Sequence, residues 1–266
     1  MTNLNSTWTG MVPVDDTALA VTDTGGPGRS VVYLNGQFAT QSYWRRVIAE
    51  LGSDYRHITY DMRARGRSRR SADYSFEANV RDVDAVLAAR GVDRPLLVGW
   101  SYGAPVALHW AGRNPDRVLG VVSVDGAYPY DFAYAEERIR RLWRRSGWLL
   151  PMLSTLGMAA RMSAEQHAQS NIELIEICAA LGPVLDGVTF PVGYVVATGG
   201  NLGGGRDEME SMRASLDPVL ARNPNIKVSA KVSSNHGTIL RKDFRAVADA
   251  VRELAGIPRS RGRQSR

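Results

Sequence analysis

Two short segments carry residue types that could do covalent chemistry together: Gly99-Trp100-Ser101-Tyr102-Gly103 and Ser233-Ser234-Asn235-His236-Gly237. A serine hydroxyl is a poor nucleophile until a base takes its proton, and that base needs a partner to orient it. The first segment follows an apolar run, Pro95 to Val98, and precedes a helix-like pattern from Ala104 to Arg113. Gly-x-Ser-x-Gly between a strand and a helix reads as a nucleophile elbow, a turn so tight that the Ser backbone is strained and its hydroxyl stands clear. In chains with such an elbow the acid and then the histidine follow the serine. His236 meets that order, because it sits after the apolar run Ile226–Ala230 and before the last amphipathic stretch. The other histidines fit less well. His57 falls inside a strand pattern, His109 within the helix after the elbow, and His167 in a long helical interval.

The surrounding chain alternates strand-length apolar runs with helical periodicity, which predicts an α/β fold with a mainly parallel, doubly wound sheet. Strands are expected at Ser30–Leu34, Arg56–Tyr60, Pro95–Val98, Val118–Val124, Val192–Ala197 and Ile226–Ala230, with an antiparallel edge hairpin at Thr7–Val12 and Ala18–Thr22. Helices are expected at Gln41–Leu51, Phe76–Arg90, Tyr102–Arg113, Asp207–Arg222 and Arg241–Leu254. The stripes Met209, Met212, Leu216, Val219 and Phe244, Val247, Val251, Leu254 read as core-facing. Between Val124 and Val192 the alternation stops. That interval is helical in character and rich in Tyr128, Tyr130, Phe132, Tyr134, Trp143, Trp148, Met152, Leu156, Met158 and Met162. A structureless loop of that length is improbable, so a helical cap inserted between two late strands is expected. The implied organisation is a core at 1–126 and 190–257, a cap at 127–189, and a disordered basic tail at 258–266.

Composition narrows the functional class. The chain has 266 residues, 44% hydrophobic and 23% charged, which suits a globular protein with a sizeable core. The net charge of +6 owes much to Arg259, Arg261, Arg263 and Arg266 in the tail, so a basic nucleic-acid face on folded elements is not expected. No stretch approaches the ~20 apolar residues of a membrane span, and no secretory leader is visible, so a cytoplasmic location and no membrane partner are expected. Cys178 is the single cysteine; it excludes an internal disulfide and, in an apolar helical stretch, makes a poor nucleophile. Monomer and dimer are equally compatible with the sequence.

Taken in order, these segments resemble the α/β-hydrolase family from about Thr7 to Ala255. Leu34-Asn35-Gly36-Gln37-Phe38, followed by Tyr43-Trp44, is similar to the family's His-Gly oxyanion turn. Asp61-Met62-Arg63-Ala64-Arg65-Gly66-Arg67-Ser68 is similar to its Asp-x-Arg-Gly-x-Gly-x-Ser loop, where an Asp–Arg pair tying down the loop is expected. The elbow, Val124-Asp125-Gly126 and Asn235-His236-Gly237 complete the series. The resemblance implies a serine hydrolase with Ser101 as nucleophile, His236 as base, and the backbone N–H groups of Gln37 and Tyr102 as the oxyanion hole. The Tyr102 N–H also gains from the positive end of its helix. Epoxide hydrolases and dehalogenases of this fold need Asp at the nucleophile position, so Ser101 argues against both.

The acid departs from the pattern. Its usual place follows the strand ending at Ala197 and falls on Asn201. Three readings stay open: Asp125 at the end of the preceding strand, Asp207 in the first turn of the next helix, or Asn201 or no acid at all. The Gly203–Gly205 run lacks the Lys and Ser/Thr of a phosphate-binding loop. Phe38, Trp100, Tyr128, Trp143 and Trp148 are candidate pocket residues for an apolar or aromatic small-molecule substrate, an ester, thioester or lactone. No metal or organic cofactor is implied. Two other functional classes remain on the same scaffold: a lyase, cyclase or isomerase without an acyl-enzyme, and a ligand-binding protein with a vestigial site.

Overall fold

Apolar runs become strands and amphipathic stretches become helices in the computed structural model, which describes residues 6–132, 135–155, 159–200 and 206–256. The strands are β1 (Trp8–Val14), β2 (Thr17–Asp23), β3 (Arg29–Leu34), β4 (Tyr55–Tyr60), β5 (Leu96–Trp100), β6 (Gly120–Val124), β7 (Val192–Ala197) and β8 (Ile226–Val232). They form one eight-stranded sheet in the order β1-β2-β4-β3-β5-β6-β7-β8. The β1–β2 and β2–β4 pairs are antiparallel and the others parallel, so the edge hairpin and the mainly parallel sheet are both present. β5 and β6 are buried at every residue, as parallel strands covered on both faces must be.

The helices are α1 (Arg45–Leu51), α2 (Phe76–Arg90), α3 (Gly103–Arg113), α4 (Ala135–Ser146), α5 (Leu150–Thr155), α6 (Ala164–Ala179), α7 (Leu181–Asp186), α8 (Arg206–Ala214), α9 (Asp217–Arg222), α10 (Ile239–Lys242) and α11 (Phe244–Ala255). Residues of α2, α3 and α7 fill one core with one face of the sheet, while residues of α1, α10 and α11 fill a second core on the other. Two expected helices are broken. The stretch 207–222 divides at Leu216, because Pro218 has no N–H to continue a helix and instead starts α9. The stretch 241–254 divides at Asp243. The interval between β6 and β7 is helical through α4 to α7, as expected. Tyr134, Leu156, Met158, Asn201, Gly203–Gly205 and the tail at 258–266 lie outside the described residues. Among the described residues no helix is long and apolar enough to cross a membrane.

The strand order turns at β4-β3-β5. The chain leaves β3 for α1 on one face and leaves β5 for α3 on the other, which opens a crevice at the carboxyl ends of these strands. Both the Gln37 turn and the Ser101 elbow lie at that crevice.

The loop after β4 is anchored differently from expectation. Arg63 pairs with Asp82 (2.8 Å) and Asp15 (2.7 Å), not with Asp61. Asp61 instead accepts from the Gln41 and Arg67 backbone N–H groups at 2.8 and 3.0 Å. A second buried carboxylate yields a stability prediction. Burial alone would raise the pKa of Asp23, but Arg56, the Gly25 N–H and Arg90 outweigh it and hold it at about 2. A depressed carboxylate contributes stability that is complete above its unfolded pKa, near 4, and disappears as pH falls through 2. Asp23→Asn is therefore expected to cost about 1–2 kcal/mol at pH 7 and almost nothing at pH 2, as read by paired urea unfolding curves.

Candidate active site

The elbow is built by close backbone approach. A Cβ on Gly99 would meet the Gly103 carbonyl oxygen at 2.3 Å, and one on Gly103 would meet the Leu34 carbonyl oxygen at 2.3 Å. Between them Ser101 sits at φ 55, the strained conformation that lifts its hydroxyl from the sheet. Its N–H bonds the Val124 carbonyl at 3.1 Å, tying the elbow to the end of β6. There Gly126 passes so close that a Cβ would lie 2.5 Å from the Ser101 carbonyl oxygen. Asp125 itself has φ 41, which turns the chain out of β6 beside the serine.

His236 arrives from the turn after β8. Thr238 bonds back to Asn235 through its N–H at 3.0 Å, and the Trp100 indole donates to the His236 carbonyl at 3.2 Å. The imidazole then bridges two groups: Nδ1 lies 2.9 Å from Asp125 Oδ2 and Nε2 lies 2.9 Å from Ser101 Oγ. A carboxylate can only accept, so Nδ1 carries the proton and Nε2 presents its lone pair to the serine hydroxyl.

Of the three acid readings, the carboxylate beside His236 belongs to Asp125. Asp207 is exposed in the first turn of α8. Asp125 is buried and receives three further groups: the Tyr128 hydroxyl at 3.0 Å, the Ala197 N–H at 3.1 Å and the Arg213 guanidinium at 3.4 Å. Burial pushes its pKa up, but the His236 hydrogen bond and charge, with Arg213 and Tyr128, bring it below the ordinary carboxylate range. Reasoning from the sequence missed Arg213, whose place in α8 gave no sign that it reaches back to the end of β6.

Gln37 and Tyr102 stand on either side of the crevice, after β3 and at the start of α3. Among the described residues neither backbone N–H is used in a hydrogen bond to another backbone group outside helices and strands. Asn35 is buried and holds the turn from both ends, donating to the Tyr60 carbonyl at 2.6 Å and accepting from the Trp44 indole at 2.7 Å. Gly36 lies against Ser101, where a Cβ would be 3.3 Å from the serine Cβ.

Ser101, Asp125 and His236 open onto a cavity of about 240 Å³. Its walls are largely apolar, with Ala127, Leu174, Ile175, Met209 and Met212 among them. Met209 is buried and Met212 packs against the core, as expected, and both also line the cavity, while Leu216 and Val219 lie fully within the core. Cys178 also lines it, and burial pushes that thiol up to about 12, so it stays protonated. Of the candidate pocket aromatics only Tyr128 lines this cavity. Trp100 packs behind His236 with ring centroids 5.6 Å apart, Trp143 stacks on His167 at 4.5 Å with Phe38 beside both, and Trp148 is 78% exposed. A wider hollow of about 720 Å³, bordered by Tyr74, Leu150 and Arg161, contains none of the three reactive groups. Among the described residues no group of three or more His, Cys, Asp or Glu is disposed to hold a metal ion.

Comparison with known proteins agrees with this architecture. A family model described as the alpha/beta hydrolase fold matches residues 29–151. A haloalkane dehalogenase of Mesorhizobium japonicum is 31% identical over 121 residues, which cover 45% of this chain and 39% of that protein. Epoxide hydrolase B of Mycobacterium tuberculosis is 39% identical over 101 residues, 36% of this chain and 28% of its own length. The match thus spans well under half of these relatives. A thermophilic esterase from Thermogutta terrifontis superposes over 94% of this chain and 98% of its own with a TM-score of 0.71 at 21% identity.

Proposed function

Because this chain has the α/β-hydrolase fold, we propose that it is a serine hydrolase that cleaves a small or medium apolar ester, thioester or lactone through an acyl-enzyme. The observation that carries this reading is the unbroken relay Ser101–His236–Asp125, with 2.9 Å at both links, opening onto an apolar cavity. In the proposed reaction Ser101 Oγ attacks the carbonyl carbon as its proton passes to His236 Nε2. Asp125 then faces an imidazolium and stabilises it. The carbonyl oxygen becomes an oxyanion held by the Gln37 and Tyr102 N–H groups, which are aimed in advance and need no reorganisation. His236 returns the proton to the leaving alcohol or thiol, and water repeats the sequence to release the acid. Helix α6 contributes Asn171, Leu174, Ile175 and Cys178 to the cavity wall, and a small-molecule substrate is the partner that fits it.

The dehalogenase and epoxide hydrolase likeness does not extend to this chemistry. Serine attack on an alkyl halide or epoxide would form an ether, which a His-activated water cannot hydrolyse. Serine attack on a carbonyl forms an ester, which it can. A fluorophosphonate probe tests the proposal directly: labelling at Ser101 in the folded protein is expected, and a folded but unlabelled Ser101 would overturn it. The cavity supplies a second prediction. Met212→Trp is expected to fill part of it and to lower kcat/KM for a p-nitrophenyl octanoate by about tenfold or more. Turnover of p-nitrophenyl acetate should change by less than about threefold, and equal losses on both esters would place the acyl group elsewhere.

A further inference from the structure

Arg65 is 4% exposed, yet none of the ion pairs formed among the described residues includes it. Its neighbour Arg63, equally buried, takes Asp82 and Asp15. Arg65 instead donates Nε to the Gln37 carbonyl at 2.5 Å and Nη1 to the Arg63 carbonyl at 2.8 Å. A buried cation without a counter-charge is costly, and proteins that keep one have a use for it. Burial, with some help from the Arg65 charge, takes the nearby His167 down to about 4 and keeps it neutral. The carboxylate within electrostatic reach, Asp82, is committed to Arg63. Tyr102 is close enough for its hydroxyl and Arg65 to act on each other, and burial keeps that hydroxyl protonated. The Gln37 side chain is pinned by Ser170 at 3.2 Å and the Tyr102 hydroxyl by Asn79 at 3.2 Å. Arg65 therefore holds the Gln37 turn directly by its carbonyl and lies within electrostatic reach of the Tyr102 side chain.

The geometry points to Arg65 as a positioning residue that fixes the Gln37 turn and supplies the positive potential beneath the oxyanion hole, its counter-charge arriving only when the oxyanion forms. This rests on the serine-hydrolase reading. The ester is neutral and the tetrahedral intermediate is anionic, so a waiting cation favours the second over the first, which is the differential binding that raises kcat. An oxyanion on the Gln37 N–H lies roughly 6–8 Å from a guanidinium on the Gln37 carbonyl. At an effective dielectric of about 20 that separation corresponds to a rate factor of about 30 at 8 Å and about 100 at 6 Å.

Two substitutions separate charge from shape. Arg65→Gln keeps a donor for the Gln37 carbonyl and removes the charge, whereas Arg65→Lys keeps the charge on a different frame. The readouts are the bimolecular rate of fluorophosphonate labelling, whose transition state carries negative charge on the phosphoryl oxygen, and kcat and KM on p-nitrophenyl acetate. Arg65→Gln is expected to slow labelling and kcat by about 30- to 100-fold with KM within about twofold, and Arg65→Lys to recover most of the loss near neutral pH. A buried ammonium loses its proton at a pH where a guanidinium does not, so labelling of Arg65→Lys should fall away from wild type as pH rises. That comparison stands even where Arg65→Gln does not fold. Equal losses in both variants, or a lysine variant that tracks wild type at every pH, would overturn the charge role while leaving Ser101 labelling intact. Absence of labelling in folded wild-type protein would instead overturn the hydrolase reading, and this inference with it.

Discussion

Ser101→Ala is expected to lower kcat on an aryl ester by a factor of about 10⁵ to 10⁶ and to abolish fluorophosphonate labelling while leaving the fold intact. The fold should survive because the position does not depend on the hydroxyl. Ser101 is half-buried, its N–H rather than its side chain ties it to β6, and its φ of 55 is a conformation that alanine already adopts here at Ala64 (φ 60) and Ala127 (φ 56). The catalytic loss should be large because nothing nearby can replace the oxygen. Of the other thiol and hydroxyl groups on the described cavity wall, burial holds both Cys178 and Tyr128 protonated. Initial rates on p-nitrophenyl acetate with a matched thermal melt decide the matter. Residual activity above about 1% in a folded Ser101→Ala protein would move the nucleophile elsewhere.

Ser101 and His236 were legible because their signals are local. The elbow needs two glycines at fixed offsets, and both prove to be sites where a Cβ would strike backbone. His236 needed only a strand before it and a helix after it. The acid was not legible, because the choice between Asp125 and Asp207 turns on contacts across neighbouring strands. The end of β6 is drawn towards β7 by the Asp125 N–H bond to the Val195 carbonyl at 2.9 Å, and the Ala197 N–H bonds the Asp125 carboxylate in return. No spacing rule encodes that exchange. The same limit applied to Arg65 and Arg213, whose contacts with Gln37 and Asp125 join segments that no spacing rule connects. Aromatic content misled in the opposite direction. Trp143 and Trp148 are abundant hydrophobic signals, yet one packs on His167 and the other faces solvent. The break at Leu216 was available in principle, since Pro218 forbids a continuous helix through that point.

Asp125→Asn is expected to lower kcat by about 10³ to 10⁴, with Asp207→Asn within about twofold of wild type. Both changes are isosteric, so the contrast isolates the charge at one site. An asparagine at 125 could still accept from His236 Nδ1, but it offers no negative charge to the imidazolium that forms as Ser101 attacks. The surroundings make the loss worse than the removal of one charge. Arg213, 11% exposed and 3.4 Å from Asp125, would be left facing a neutral amide, and its field would then oppose protonation of His236. The Tyr128 hydroxyl and the Ala197 N–H donate to one Asp125 oxygen while His236 Nδ1 faces the other, so in the asparagine the amide N–H₂ must meet either the imidazole N–H or the Tyr128 and Ala197 donors. Removing that opposing charge in the double variant Asp125→Asn/Arg213→Met should therefore restore part of the rate, by about tenfold, although Arg213→Met alone is expected to change kcat little. Parallel kcat measurements on the four proteins give the answer. Near-wild-type rates in both Asp125→Asn and Asp207→Asn would mean that neither carboxylate supports the histidine. A double variant no faster than Asp125→Asn would remove Arg213 from the electrostatics of the relay and leave it a packing residue beneath β7.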